Sequence, residues 1–168
     1  MISQTRPILV AVDFSDDSRA ALAWASDLAA CAGAPLSVVH VVHEPAQKPG
    51  YYRRDPDDVV RPMEDVAREM FEAFLQDMRA ALPAVHPLQQ AEVILVKGLP
   101  SNRILEAAQT IDAQHIIMGC RGHTSLPQLL LGSTADHVAH HAPMPVTVVK
   151  APRAATGDAK TGAAGKND

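Results

Sequence analysis

The 168-residue sequence predicts an α/β fold: a single Rossmann-like, doubly wound sheet of five parallel strands in the order 3-2-1-4-5, with four helices. Two patterns predict this fold. Short aliphatic runs without polar alternation are typical of strands that are buried on both faces, as the strands of parallel sheets are. Segments with apolar residues at helical spacing separate these runs, and such alternation indicates a parallel sheet that helices cover on both sides.

Five aliphatic runs supply the predicted strands. They occupy residues 7–12, 36–42, 91–96, 115–118 and 145–149. Hydrophobic residues make up 47% of the chain and aromatic residues only 4%, so we expect an aliphatic core.

The predicted helices begin at start signals or where helical spacing returns. The first has Ser15 as its N-cap, acidic residues in its first turn, and Gly33 as its stop signal. The second begins near Met63 and the third at Pro100. The fourth covers residues 133–141.

The chain is predicted to form one domain, residues 1–150, followed by a disordered C-terminal tail, residues 151–168. The tail is dominated by Ala, Gly, Lys, Thr and Asp without any period. Residues 44–62 are rich in proline and are predicted to form a long loop, whose Tyr-Tyr-Arg-Arg stretch at 51–54 is a solvated surface, a lid or a patch that binds a partner.

The composition argues against several classes of protein. A net charge of −4 and a sequence pI near 6.0 do not favour a nucleic-acid-binding surface. We find no signal-peptide pattern and no apolar run of the ~18 residues that a membrane span needs, so a cytoplasmic protein is expected. The two cysteines do not indicate a disulfide framework: Cys31 is expected to be buried in the first helix, and Cys120 to be a loop thiol.

The strongest functional signal is the pattern G-x2-G-x9-G-S directly after the fourth strand. It comprises Gly119, Gly122, Gly132 and Ser133, and we call residues 119–133 the glycine loop. Spaced glycines let the backbone approach an anion, and the N–H groups at the start of the next helix can bind phosphate. In the predicted strand order, Asp13 at the end of the first strand lies beside this loop at the switch point, where such sheets bind ligands.

These residues resemble the universal stress protein family over about residues 6–150. The resemblance rests on I-L-V-A-V-D-F-S in the first strand, G-L-P-S-N-R-I-L-E-A-A at the third helix, H-H-A-P-M-P-V-T-V-V at the end, and above all the glycine pattern. The complete pattern is similar to that of the ATP-binding branch of the family. The resemblance therefore implies an ATP-binding stress-response regulator or sensor with Mg²⁺, and a homodimer formed through the last strand, residues 145–149.

The resemblance also implies which residues contact the nucleotide. Asp13 would lie by the ribose or its phosphates, and Val41 would meet the adenine through its backbone. Gly119 and Gly122 would let the loop pass close to the sugar and phosphates. The residues that would hold phosphate oxygens at the helix start are Gly132, Ser133 and Thr134.

Arg121 and His123 either neutralise phosphate or point to solvent. No catalytic residue and no set of protein metal ligands is identified, and the sequence contains no P-loop pattern. A weak ATP hydrolase or phosphotransfer enzyme on the same fold is the alternative, and a nucleotide-free dimeric scaffold is a third class that the intact glycine pattern does not favour.

Overall fold

A computed structural model describes residues 5–44, 62–82, 86–122 and 131–152. Its five strands form one all-parallel sheet in the order β3-β2-β1-β4-β5. In chain order the elements are β1 (Ile8–Ala11), α1 (Asp16–Ala32), β2 (Leu36–Val42), α2 (Met63–Ala81), α3 (His86–Gln89), β3 (Glu92–Lys97), α4 (Pro100–Thr110), β4 (His115–Gly119), α5 (Ser133–His141) and β5 (Val146–Val149). The predicted loop 44–62, apart from its ends, and the predicted tail after residue 152 lie outside the described residues.

The predicted strand order is confirmed, and no predicted strand bound differs from the observed one by more than one residue. The predicted number of helices is wrong, because the structure describes five instead of four. The additional helix is α3, a single turn of four residues. A segment that short cannot show a helical period, so the sequence pattern did not reveal it.

Alternation along β1 divides the core into two layers. Ile8, Val10 and Val12 pack with α1 and α2 on one side of the sheet. Leu9 and Ala11 pack with α4 and α5 on the other side. Successive side chains of a strand point to opposite faces, so the four residues of β1 contribute to both layers, and all four are buried.

Helix α1 begins and ends at the residues that the sequence indicated. The Ser15 side chain accepts a hydrogen bond from the Ser18 N–H, and Gly33 closes the helix with a left-handed φ of 59°. The prediction for Cys31 is wrong: its side chain is exposed. The buried stripe of α1 contains Ala21, Leu22, Ala25 and Ala29, and Cys31 lies on the side of the helix away from that stripe.

Within the described residues, we find no helix that combines the length and the apolar character required to cross a membrane.

A substitution at Gly33 measures the effect of the left-handed backbone on stability. A Cβ at this position would meet no atom within 4 Å, so the change Gly33→Ala acts only through the backbone. A left-handed conformation costs an L-residue ~1–2 kcal/mol, partly offset by the smaller entropy of the unfolded alanine chain. We expect Gly33→Ala to lower the free energy of unfolding by about 1 kcal/mol in urea titrations. Gly33→Asn should lose less, since asparagine tolerates this region. An alanine variant as stable as the wild type would contradict this.

Candidate functional site

A crevice lies where the carboxyl ends of β1 and β4 meet. These strands are neighbours although α1, β2, α2, α3, β3 and α4 separate them in the chain, and their register pairs Ala11 with Met118. Asp13 therefore leaves the sheet at the same edge as Gly119. Chain segments diverge from such a point to opposite faces of the sheet, which leaves an opening for a ligand.

The turn after β1 has an unusual backbone. Phe14 has φ 69°, in the left-handed region that a bulky residue rarely adopts. Its ring stacks on His40, with 4.2 Å between the ring centroids, and the His40 Nδ1 lies 2.8 Å from the Val12 carbonyl oxygen. The packed ring and the hydrogen bond between β2 and β1 together stabilise this turn, which directs the chain at Asp13 toward β4.

Asp13 holds Ser15, the N-cap residue of α1, in place. Its Oδ1 accepts hydrogen bonds from the Ser15 backbone N–H, at 3.1 Å, and from the Ser15 hydroxyl, at 2.5 Å. The same hydroxyl lies 3.3 Å from the Arg121 carbonyl oxygen. Asp13 is thus half-buried, oriented by its own turn, and joined through Ser15 to the glycine loop.

Two glycines of the motif are closely packed against other parts of the protein, Gly119 against backbone and Gly122 against a side chain. A Cβ on Gly119 would lie 2.9 Å from the carbonyl carbon of Asp17 and from the nitrogen of Ser18, and a Cβ on Gly122 would collide with Oδ2 of Asp13. Neither glycine has a positive φ. Their role is therefore to make room, for the start of α1 and for the Asp13 carboxylate, and not to permit a left-handed turn.

The described ends of the glycine loop are joined by a hydrogen bond. The Gly132 N–H donates to the Cys120 carbonyl oxygen at 2.8 Å, and the Cys120 N–H donates to the Val149 carbonyl oxygen at 2.7 Å. Cys120 lies directly after β4, in the loop as predicted, but it is buried: only 1% of the residue is exposed. Both of its backbone groups continue the sheet or close the loop, which places the residue inside the fold.

Helix α5 begins beside this closure. Gly132 is its N-cap with extended backbone, φ −71° and ψ 149°, and it offers no side-chain cap in the described part of the chain. Ser133 is exposed and Thr134 half-buried. The first N–H groups of a helix have no partner within it, and the helix dipole makes them attractive to anions. This end of α5 is suited to phosphate oxygens.

Arg121 makes a contact that the sequence analysis did not anticipate. Its backbone N–H donates to Oδ2 of Asp17 at 3.1 Å, and its guanidinium Nε lies 3.5 Å from the same oxygen. Asp17 is one of the acidic residues in the first turn of α1, where the sequence predicts only a favourable interaction with the helix dipole. Its position four residues before the buried Ala21 was a signal that it lies on the buried stripe of the helix.

Val41 and His123 are the other two residues that the sequence places in the nucleotide site. Val41 lies in β2, and the register of Ala11 with Val39 brings it to the same edge of the sheet as Asp13. Its side chain is buried in the layer under α4 and α5, so only its backbone could meet a ligand in the crevice. His123 lies outside the described residues.

The buried His40 makes the stability of the fold at this site depend on pH. Burial lowers the pKa of His40 from its ordinary 6.5, against smaller opposing effects of the Val12 hydrogen bond and the Asp13 charge. A depressed pKa means that the unfolded chain binds the proton first. The stabilising contribution is therefore complete above about pH 6.5 and is lost as the pH falls below it.

We expect the free energy of unfolding to fall below pH 6.5, with His40 contributing at most about 1.4 kcal/mol per pH unit. His40→Asn keeps a donor for the Val12 carbonyl and does not titrate, so this slope should be smaller in the variant. Denaturant titrations at several pH values measure it. His115, whose pKa burial also lowers, is present in both proteins and cancels in the comparison. Equal slopes would contradict the assignment.

Comparison with known proteins identifies the family. The model of the universal stress protein family matches residues 4–150. A universal stress protein of Thermus aquaticus, encoded in the 3′ region of a QAH/OAS sulfhydrylase, is 33% identical over 145 residues, which are 86% of this chain and 98% of the relative.

Solved structures have the same fold. The universal stress protein UspA from Lactobacillus plantarum superposes with a TM-score of 0.69 at 26% identity, over 88% of this chain and 99% of that one. A universal stress protein from Archaeoglobus fulgidus, solved in complex with dAMP, gives a TM-score of 0.60 at 26% identity, with coverage of 88% and 99%. The confirmed fold, the glycine motif and these matches lead to one conclusion: the chain belongs to the universal stress protein family.

Proposed function

We propose that this protein binds ATP with Mg²⁺ in the crevice between β1 and β4 and acts as a stress-response regulator or sensor. The observation that carries the proposal is the hydrogen bond from the Gly132 N–H to the Cys120 carbonyl oxygen. It brings the start of α5 to the end of β4, beside Asp13. A glycine loop, a helix start and a carboxylate are then available to the phosphates and ribose of one nucleotide.

The charges of the described site favour a nucleotide whose phosphates are bound to a cation. Asp17 is paired with Arg121, so the guanidinium adds little net positive charge to the crevice. The Asp13 carboxylate would repel a bare triphosphate. Mg²⁺ prefers oxygen ligands and is commonly held by one or two carboxylates together with phosphate oxygens. The donor set therefore fits Mg²⁺, with Asp13 and the hydroxyls of Ser133 and Thr134 as the oxygen-bearing groups.

The relative from Archaeoglobus fulgidus, which was solved with dAMP, supports an adenine nucleotide in particular. In this chain, the backbone of Val41 at the end of β2 is the group proposed to meet the adenine. The ribose would lie near Asp13, and the phosphates would extend along Gly119 and Gly122 toward Gly132.

We propose a binding protein and not an efficient enzyme. Backbone N–H groups at a helix start bind phosphates in the ground state, and such binding does not by itself accelerate cleavage. Arg121, the one cation among the described residues of the glycine loop, is paired with Asp17. Weak ATP hydrolysis remains the alternative. Phosphate release under saturating Mg-ATP separates the two, because a binding protein should turn over far below the ~1–100 s⁻¹ of kinases.

Gly122 provides the direct test of the site. In Gly122→Ala the new methyl group would collide with Oδ2 of Asp13 and displace the carboxylate from the loop. We expect the dissociation constant for Mg-ATP, measured by calorimetry, to rise at least tenfold, or ~1.4 kcal/mol, and to rise further in Gly122→Val.

Gly33→Ala is the matched control. It is the same substitution, it is also expected to destabilise the fold, and it lies before β2, at the opposite end of the strands from the crevice. Its affinity for Mg-ATP should equal that of the wild type. A wild type that binds no adenine nucleotide would reject the proposed function, and a Gly122→Ala variant with unchanged affinity would reject the proposed site.

We also propose that the protein acts in the cytoplasm as a homodimer joined through β5. Ile116 and Cys120 donate their N–H groups to the carbonyl oxygens of Pro145 and Val149. Since successive residues of a strand direct their backbone groups to opposite sides, Val146 and Val148 direct theirs to the outer edge of the sheet. That edge can pair with the same edge of a second copy about a two-fold axis.

Val148→Pro tests the dimer. Proline removes one outward N–H and leaves the hydrogen bonds between β5 and β4 in place. Light scattering after gel filtration should give twice the chain mass of 17.9 kDa for the wild type and a shift toward the monomer for the variant. A wild type that is monomeric at micromolar concentration would refute the proposal, and so would a fully dimeric variant.

A further inference from the structure

We propose that Asp17 is a positioning residue that holds the start of the glycine loop and links it to the chain leaving β5. This inference rests on the proposed nucleotide site and concerns its regulation. Oδ2 of Asp17 accepts a hydrogen bond from the Arg121 N–H at 3.1 Å, and Oδ1 accepts one from the Ala151 N–H at 2.9 Å. One carboxylate of α1 thus joins two segments that lie 104 and 134 residues away in the chain.

The burial of Asp17 explains why these contacts are held. Only 7% of the residue is exposed, and a buried carboxylate must be hydrogen-bonded or paired to offset the loss of its hydration. Both backbone donors approach it with normal geometry, and bonds to a charged acceptor are stronger than neutral ones. The carboxylate and the two segments therefore stabilise each other's positions.

The Arg121 side chain completes this arrangement. Its Nε is 3.5 Å from Oδ2 of Asp17, and its side chain is only 23% exposed. In this geometry the guanidinium neutralises Asp17. Arg121 contributes to the site mainly by keeping the loop attached to α1 and much less as a free positive charge for phosphate.

A second contact links the same two segments. The Cys120 N–H donates to the Val149 carbonyl oxygen, two residues before Ala151. Residues 120–121 and 149–151 are therefore joined twice, once directly and once through Asp17. A ligand that stabilises residues 120–122 should therefore stabilise residues 149–151 as well. A partner that binds residues 149–151 should change the nucleotide affinity by the same factor by which the nucleotide changes the affinity for that partner.

The substitution Asp17→Asn distinguishes positioning from a simple charge effect, because the two predict opposite signs. Removing a negative charge near the phosphates and releasing Arg121 should tighten Mg-ATP binding if charge alone matters. If Asp17 positions the loop, binding should weaken, because the two backbone donors approach different oxygens and in asparagine one of them would face the NH2 group, which is itself a donor. We expect the dissociation constant to rise at least tenfold in calorimetry. An unchanged or lower value would overturn the proposal.

Asp16→Asn is the matched control. It removes the same charge from the same helix turn, but the Asp16 side chain is exposed. Its affinity should stay within about twofold of the wild type, as expected for an exposed charge screened by solvent. A loss equal to that of Asp17→Asn would overturn the proposal, because it would show a general effect of the helix charge.

Ala151→Pro tests the link itself without any change of charge, since it removes only the N–H that Oδ1 of Asp17 accepts. We expect Mg-ATP affinity to fall severalfold although Ala151 is not among the proposed nucleotide contacts. Arg121→Ala should change the affinity less than Asp17→Asn does, because the loop keeps its backbone bond to Asp17. The opposite order would show that Arg121 acts on phosphate directly and would overturn its assigned role.

Amide hydrogen exchange tests whether Asp17 holds the loop without the use of a nucleotide. In the free protein, Asp17→Asn should accelerate exchange at Arg121 and Ala151 and leave Val10 in the central strand unchanged. Equal exchange in variant and wild type would overturn the proposal. If the wild type binds no adenine nucleotide, the proposed function fails, while this measurement still decides whether Asp17 holds the loop.

Discussion

The close approach of the first turn of α1 to the end of β4 is the constraint on which the rest of the crevice depends. Gly119 lies against the backbone of Asp17 and Ser18 so closely that any side chain there would have to displace one of them. This contact brings the N-terminus of α1 beside the glycine loop. It also places the Asp17 carboxylate where it meets the backbone of Arg121. A larger residue at 119 would separate the two segments that form the crevice.

The crevice is formed mostly by backbone groups. The loop closure between Cys120 and Gly132, the start of α5 at Gly132 and the turn at Phe14 are all main-chain features. Side chains such as Asp17 and Ser15 hold these segments in place. A site of this kind suits recognition of a ligand with many acceptor oxygens, because N–H groups fixed by the fold need no reorganisation when the ligand binds.

The histidine of β2 has a related role on the other side of the crevice. His40 is buried, bonds to the carbonyl of Val12 and supports the ring of Phe14, whose strained backbone directs the chain at Asp13. The residue that the family resemblance associates with adenine, Val41, is its neighbour in β2. Strand β2 therefore supports the turn at the end of β1 and also supplies part of the proposed adenine contact.

The sequence by itself determined the strand order, the strand bounds to within one residue, both ends of α1 and the start of α5, because periodicity, caps and spaced glycines are local signals. It also identified the glycine motif, which together with the other matching segments indicated the family. Only the tertiary structure decided why the glycines are needed, since the atoms that crowd Gly119 and Gly122 come from residues about one hundred positions away. The same holds for the pairing of Arg121 with Asp17 and for the burial of Cys120. These facts depend on contacts between distant segments, and no local pattern of residues records such contacts.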